Sequence, residues 1–182
     1  MKQESMKPDP AWSLPLKVDD LPPEGAVLKL VPSEKERAAL AHYAGVIAVP
    51  ALVAEVKATP DGNGGVMVVG DLVATVRQTC VVSLEPFDNA VNEQIELRFL
   101  SESAADFATA EDGGDELDLT DVIRDGVVDL GALVTEFLAL GVDPYPRRPG
   151  AVFAPPDATA GHESSSPFAA LAKLKQKGRQ GD

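Results

Sequence analysis

The stretch GVMVVGDLVATVRQTCVVSLEPFDNAVNEQIELRFL, Gly65 to Leu100, decides the fold. Val66 to Val69 reads as a short apolar strand, Gly70-Asp71 as a bend, and Leu72 to Leu84, rich in valine and threonine, as a second strand. Glu85-Pro86-Phe87-Asp88-Asn89 has the composition of a turn. Beyond it Val91, Glu93, Ile95, Leu97 and Phe99 share one parity and Asn92, Gln94, Glu96 and Arg98 the other. That alternation predicts a third, half-buried strand, and three consecutive strands predict an antiparallel meander.

Upstream, Trp12, Leu14, Leu16 and Val18 alternate as in a strand with one buried face, which Pro15 confines to an edge. A short apolar piece follows at Ala26 to Val31. Ser33 and Glu36 form a capping-box pair, and the helix formers after them stop at Gly45, so a helix is expected over Glu34 to Ala44. Its Leu40 and Tyr43 share a face; His42 lies off it, without a visible metal or base partner. Val46 to Ala58 reads as one strand bent at Pro50. Asp61-Gly62-Asn63-Gly64-Gly65 has no following Lys-Ser/Thr and leads into a strand, so a hairpin turn is expected in place of a phosphate loop.

Downstream, residues 101–125 hold nine acidic residues, Glu102, Asp106, Glu111, Asp112, Asp115, Glu116, Asp118, Asp121 and Asp125, against Arg124 alone. The order of ligands is not that of a calcium-binding loop, and a solvated acidic loop with a short strand at Glu116 to Leu119 is the simpler reading. A surface for a basic partner is a further one. Asp129 caps a second helix, in which Leu130, Leu133, Val134, Phe137, Leu138 and Leu140 recur at helical spacing up to Gly141. Asp143-Pro144-Tyr145-Pro146-Arg147-Arg148-Pro149 is a stiff segment whose arginines suit either phosphate or the acidic loop. A proline- and serine-containing linker then leads to PFAALAKLKQKGRQ. There Phe168, Leu171, Ala172 and Leu174 make an apolar stripe, and Lys173, Lys175, Lys177 and Arg179 add positive charge.

The chain has 182 residues, 45% of them apolar, and a net charge of −13. That length supports one core, burying roughly 70% of the unfolded surface. No apolar run approaches the roughly 20 residues that span a bilayer, and MKQESMKPDP has no apolar stretch of a signal peptide, so no membrane association is expected. A lone Cys80 supports neither an internal disulfide nor a zinc site, which points to the cytoplasm. The acidic balance counts against a broad grip on nucleic acid and leaves room for a small basic site or a basic protein partner. No nucleophile elbow, histidine-containing ligand cluster or phosphate loop is present, so neither an enzyme nor a cofactor is expected.

The fold expected is α+β: a mainly antiparallel sheet, with closure toward a barrel as one form it can take, packed by two helices. The parts are a disordered N-terminus over 1–10, one domain over 11–153 with the acidic loop at 101–125, a linker over 154–166 and a flexible, basic amphipathic tail over 167–182.

Cys80-Val81-Val82-Ser83-Leu84-Glu85-Pro86, followed by a strand and an acidic loop, resembles the YceD family. So does Asp129 to Gly150, DLGALVTEFLALGVDPYPRRPG, and the tail resembles that of the family's alphaproteobacterial branch. The resemblance implies a non-enzymatic role in large-subunit ribosomal RNA accumulation and ribosome assembly. A large-subunit ribosomal protein or ribosomal RNA precursor is the implied partner. The motif and interaction residues carried by it are Cys80, Leu84, Pro86, Asp143, Pro144, Tyr145, Arg147 and Arg148, with Lys173 and Lys175 of the tail. Many members have Cys-x-x-Cys before Leu-x-Pro, and some have later cysteines, an arrangement suited to zinc. Here Ser83 takes the second position, Arg147 and Arg148 stand near the later one, and zinc is not carried over. Cys80 is then read as a small packed residue, with a reactive thiol as the lesser reading. A small-molecule or hydrolytic site between sheet and acidic loop is the alternative function.

Overall fold

A computed structural model of the chain describes residues 10–62, 64–101, 104 and 120–153. The chain divides into two compact units, Met1–Arg148 and Pro149–Asp182; only 149–153 of the second are described. Among the described residues of the first, the elements are β1 (Pro15–Lys17), β2 (Ala26–Leu30), α1 (Glu34–Tyr43), β3 (Ala48–Pro60), β4 (Val66–Thr79), β5 (Pro86–Leu100), β6 (Thr120–Val122), β7 (Val127–Asp129) and α2 (Leu130–Gly141).

The fold is α+β. Five strands form a mixed sheet in the order β2-β3-β4-β5-β6, antiparallel except for the parallel β5–β6 pair, and β1 pairs with β7 in a small second sheet. The large sheet is open rather than a closed barrel, with the short strands β2 and β6 at its edges. Its inner face is covered by helices, α1 on β3 and α2 on β4 and β5, which supply the apolar cover a barrel would provide for itself. Leu52, Val56, Val68, Leu72, Val91 and Ile95 meet Leu40, Leu130, Val134 and Leu138 in this core. On the other face Val69, Asp71, Val73 and Arg77 are exposed. The period-2 pattern of β5 holds: Val91, Ile95 and Phe99 are buried, Glu93 and Leu97 half-buried, and Asn92, Gln94, Glu96 and Arg98 exposed.

The meander has two strands where the sequence suggests three. β4 runs unbroken through Gly70, which pairs with Val56 on one side and Ile95 on the other. A Cβ at Gly70 would run into the Glu55 carbonyl and lie 2.7 Å from Val56 Cα. The glycine therefore permits a close approach of two backbones and makes no turn. The turn itself comes earlier than the sequence suggests. Thr79 pairs with Pro86, so Cys80 to Glu85 reverse the chain and residues 86–89 begin β5. The Arg77 guanidinium grips Asp88 across the strands with bonds of 2.7 and 3.0 Å, and proline is tolerated at a strand's first position.

The hairpin expected at Asp61 to Gly65 joins β3 to β4, closed by the Asp61 amide on the Gly65 carbonyl at 3.0 Å. The bend expected at Pro50 is a register shift between Ala48 and Ala51. In α1 the Ser33–Glu36 capping box forms. Its buried residues are Leu40 and Ala41, and Tyr43, expected beside Leu40, is exposed. In α2 Asp129 caps the Ala132 amide at 3.0 Å and also accepts from the Leu14 amide and the Ser13 hydroxyl. Those bonds hold Leu14 at the surface, where the alternation had placed it inside; Trp12 is buried as expected. Leu140, expected in the inner stripe, is exposed, because two residues past Leu138 is about 200° around the helix. The strand expected at Glu116 to Leu119 lies outside the described residues, as do the linker and tail.

Candidate interaction site at the Cys80 turn

The turn after β4 meets the segment after α2. The Cys80 amide donates to Glu85 O and the Leu84 amide to Cys80 O, both at 2.9 Å, which closes the turn on itself. The Val81 amide donates to Pro146 O at 2.9 Å, and the Arg148 amide to Cys80 Sγ at 3.4 Å. Gln78 Nε2 donates to Asp143 O at 2.8 Å, and Arg148 Nη1 lies 3.0 Å from Glu85 Oε2. The two motifs that carried the resemblance are thus one place in the fold. Of the predicted residues the structure brings together Cys80, Leu84, Pro86, Asp143, Pro144, Tyr145, Arg147 and Arg148; Lys173 and Lys175 lie outside the described residues.

Cys80 is fully buried, and its sulfur accepts from the amides of Val82, Ser83 and Arg148, each at 3.4 Å. Its thiol is drawn down from 9.0 to about 6. The Ser83 hydroxyl is the largest influence, followed by the Ser83 and Arg148 amides, with burial acting the other way and the Val82 amide adding a little. Ser83 Oγ is shut off from water and meets no partner at full hydrogen-bond geometry. The amides, whose donors the backbone fixes, are therefore the firmer part of the cause. Arg77, the cation nearest in sequence, is engaged with Asp88 instead.

One sulfur and one hydroxyl do not make a tetrahedral zinc site. Among the described residues no group of three or more histidine, cysteine or acidic side chains is placed to hold a metal. The Arg148 amide on Cys80 Sγ is an N–H···S bond that ties the two segments together.

On the outside of this junction Leu84 and Tyr145 are exposed, as are Arg147 and Arg148. Leu84 has φ +59, the left-handed region that L-residues enter at a cost of about 1–2 kcal/mol. Sequence reasoning missed Gln78, which lies outside both motifs, and did not single out Val81, Glu85 and Pro146 within them. Only Glu85 carried a signal, as an acidic neighbour of the motif and a partner for an arginine.

A groove of about 210 Å³ lies where the sheet passes under α2, with Leu97, Phe99 and Leu133 in its wall and Asp121, Arg124, Asp129 and Glu136 among its polar residues. It is near the end of the acidic loop, where the alternative reading placed a ligand. Asp129 is already engaged by three donors. Asp121 Oδ1 accepts the Val122 amide at 2.8 Å, and Arg124 brings a cation beside the carboxylates.

The fold and this junction define an α+β protein with a stitched surface turn. Residues 68–175 match the family described as large ribosomal RNA subunit accumulation protein YceD, and the chain belongs to that family. The family's name implies a role in large-subunit ribosomal RNA accumulation, and no catalytic activity is known for it. No curated protein and no solved structure matches the chain. Among the described residues no helix is long and apolar enough to cross a membrane.

Proposed function

We propose that the chain is a non-enzymatic factor that supports accumulation of large-subunit ribosomal RNA by binding ribosomal RNA or a ribosomal protein during assembly in the cytoplasm. The family match over residues 68–175 is the observation that carries this reading. The division of labour follows charge: the acidic loop at 101–125 faces a basic ribosomal protein, and Arg147, Arg148 and the tail lysines Lys173 and Lys175 face RNA. The tail's likeness to the alphaproteobacterial branch supports placing the chain there. The test is the ratio of large- to small-subunit ribosomal RNA in cells lacking the gene. A fall restored by the wild-type gene is expected; an unchanged ratio overturns the role.

The groove beneath α2 favours the second reading, a small-molecule site, through its apolar wall and three carboxylates. Engagement of Asp129 in capping weighs against a working acid–base pair there. Saturable binding of a small cationic ligand, lost in Glu136→Gln, would support it.

A further inference from the structure

The surface outside the Cys80 turn combines three features that the fold itself does not require. Leu84 keeps 76% of its surface exposed while held at φ +59, where glycine would make the same turn without strain. Strain of this kind, without a packing reason, is a mark of a functional position. Tyr145 is 73% exposed and stands between two prolines, the second of them buried, with its own amide held by Asp143 Oδ1 at 2.8 Å. Its backbone is therefore fixed before anything binds. Arg148 is neutralised by Glu85, whereas Arg147, exposed, has no ion pair among the described residues.

We propose that Leu84, Tyr145 and Arg147 form a contact site for unpaired nucleotides of single-stranded RNA, held in place by the N–H···S and backbone bonds that join the Cys80 turn to the Asp143–Arg148 segment. This rests on the proposed role in ribosomal RNA accumulation and names the side of the molecule that performs it. A base stacks on the Tyr145 ring, an interaction open to every base because each has a π-face. The neighbouring phosphate pairs with the Arg147 guanidinium, and Leu84 covers the edge of the base or sugar. With Arg147 as its single arginine without an ion pair among the described residues, the contact spans one or two nucleotides and depends only weakly on salt. Duplex RNA, which offers no splayed base, is not a ligand of this site.

The experiment is fluorescence anisotropy of the full chain with an unstructured single-stranded RNA of about 12 nucleotides, a size within the range that stacking platforms cover. It is run at several salt concentrations, with the matching duplex and a glutamate-rich peptide as further probes. The wild type should bind the single strand in preference to both. Tyr145→Ala should weaken binding about tenfold, the scale of one lost base–aromatic stack. Arg147→Ala should lower the slope of log affinity against log salt by about 0.7, the value for one phosphate of a single strand. Leu84→Gly should weaken binding while leaving the melting temperature no lower, which separates a lost contact from a lost fold. Equal affinity of Tyr145→Ala and wild type, absence of saturable RNA binding, or binding of the acidic peptide alone would each overturn the proposal. Full restoration of the ribosomal RNA ratio by the Tyr145→Ala gene would also overturn it and leave the family role standing. An unchanged ratio in cells lacking the gene would instead remove that role, and RNA binding by the chain would remain to be judged by its own titration.

Discussion

Cys80 links the chemistry of one atom to the stability of the fold. Its thiol ordinarily titrates at 9.0 and in the fold at about 6, so folding favours the thiolate. For an acid with a depressed value the stabilisation is fully present above 9.0 and fades as pH falls through about 6. The melting temperature should therefore rise between those two values. Cys80→Ser, which keeps an acceptor but does not titrate there, should flatten that rise. Glu36 and Asp88, both held below their ordinary 4.5 and 3.8, act at lower pH and do not overlap it. Cys80→Ala leaves three amides without their acceptor and should lower stability by about 1–3 kcal/mol in denaturant titrations. Leu84→Gly relieves a left-handed leucine and should raise stability by about 0.5–1 kcal/mol in the same titrations. A destabilised Leu84→Gly protein would mean that the leucine packs on the fold and does not serve the surface.

At the scale of elements, what the sequence showed and what it hid differ in range. The α1 capping box and the Asp129 cap were legible because each joins residues three apart. The alternation of β5 was legible because period 2 is local. Gly70 was misread because its reason lies across the sheet, in the Glu55 carbonyl of β3, and no local pattern reports a backbone fifteen residues away in the chain. Gly70→Ala should consequently destabilise the protein by about 1–3 kcal/mol, as overpacking does, and an unfolding curve that matches wild type would show that the strands can separate to admit a methyl. A second missed signal was local: Asp125, the last residue assigned to the acidic loop, and Gly126 after it have φ of 53 and 68 and turn the chain from β6 into β7, with the Val127 amide on Arg124 O at 3.0 Å. Asp129→Ala removes the helix cap and the anchor of Leu14 together and should lower stability by about 1–2 kcal/mol.

At the scale of the molecule, the α+β class followed from the mix of period-2 and helical spacing, whereas the open edges of the sheet and its parallel last pair did not, because strand order is a property of long-range pairing. The candidate site was legible only as two separate motifs. That the Cys80 turn and the Asp143–Arg148 segment touch is set by hydrogen bonds spanning more than sixty residues, such as Arg148 to Cys80 and Gln78 to Asp143. Joining them converts two weak signals into one surface with a strained leucine, an exposed tyrosine and an arginine that has no ion pair among the described residues. The most direct measurement is recovery of the tagged full chain from cells after crosslinking, with the bound RNA sequenced, for wild type and for a protein carrying Tyr145→Ala and Arg147→Ala together. Large-subunit ribosomal RNA enriched over small-subunit RNA by the wild type, and much less so by the double variant, is the expected result. Equal recovery of the two RNAs by wild type, or enrichment undiminished in the double variant, would contradict the account.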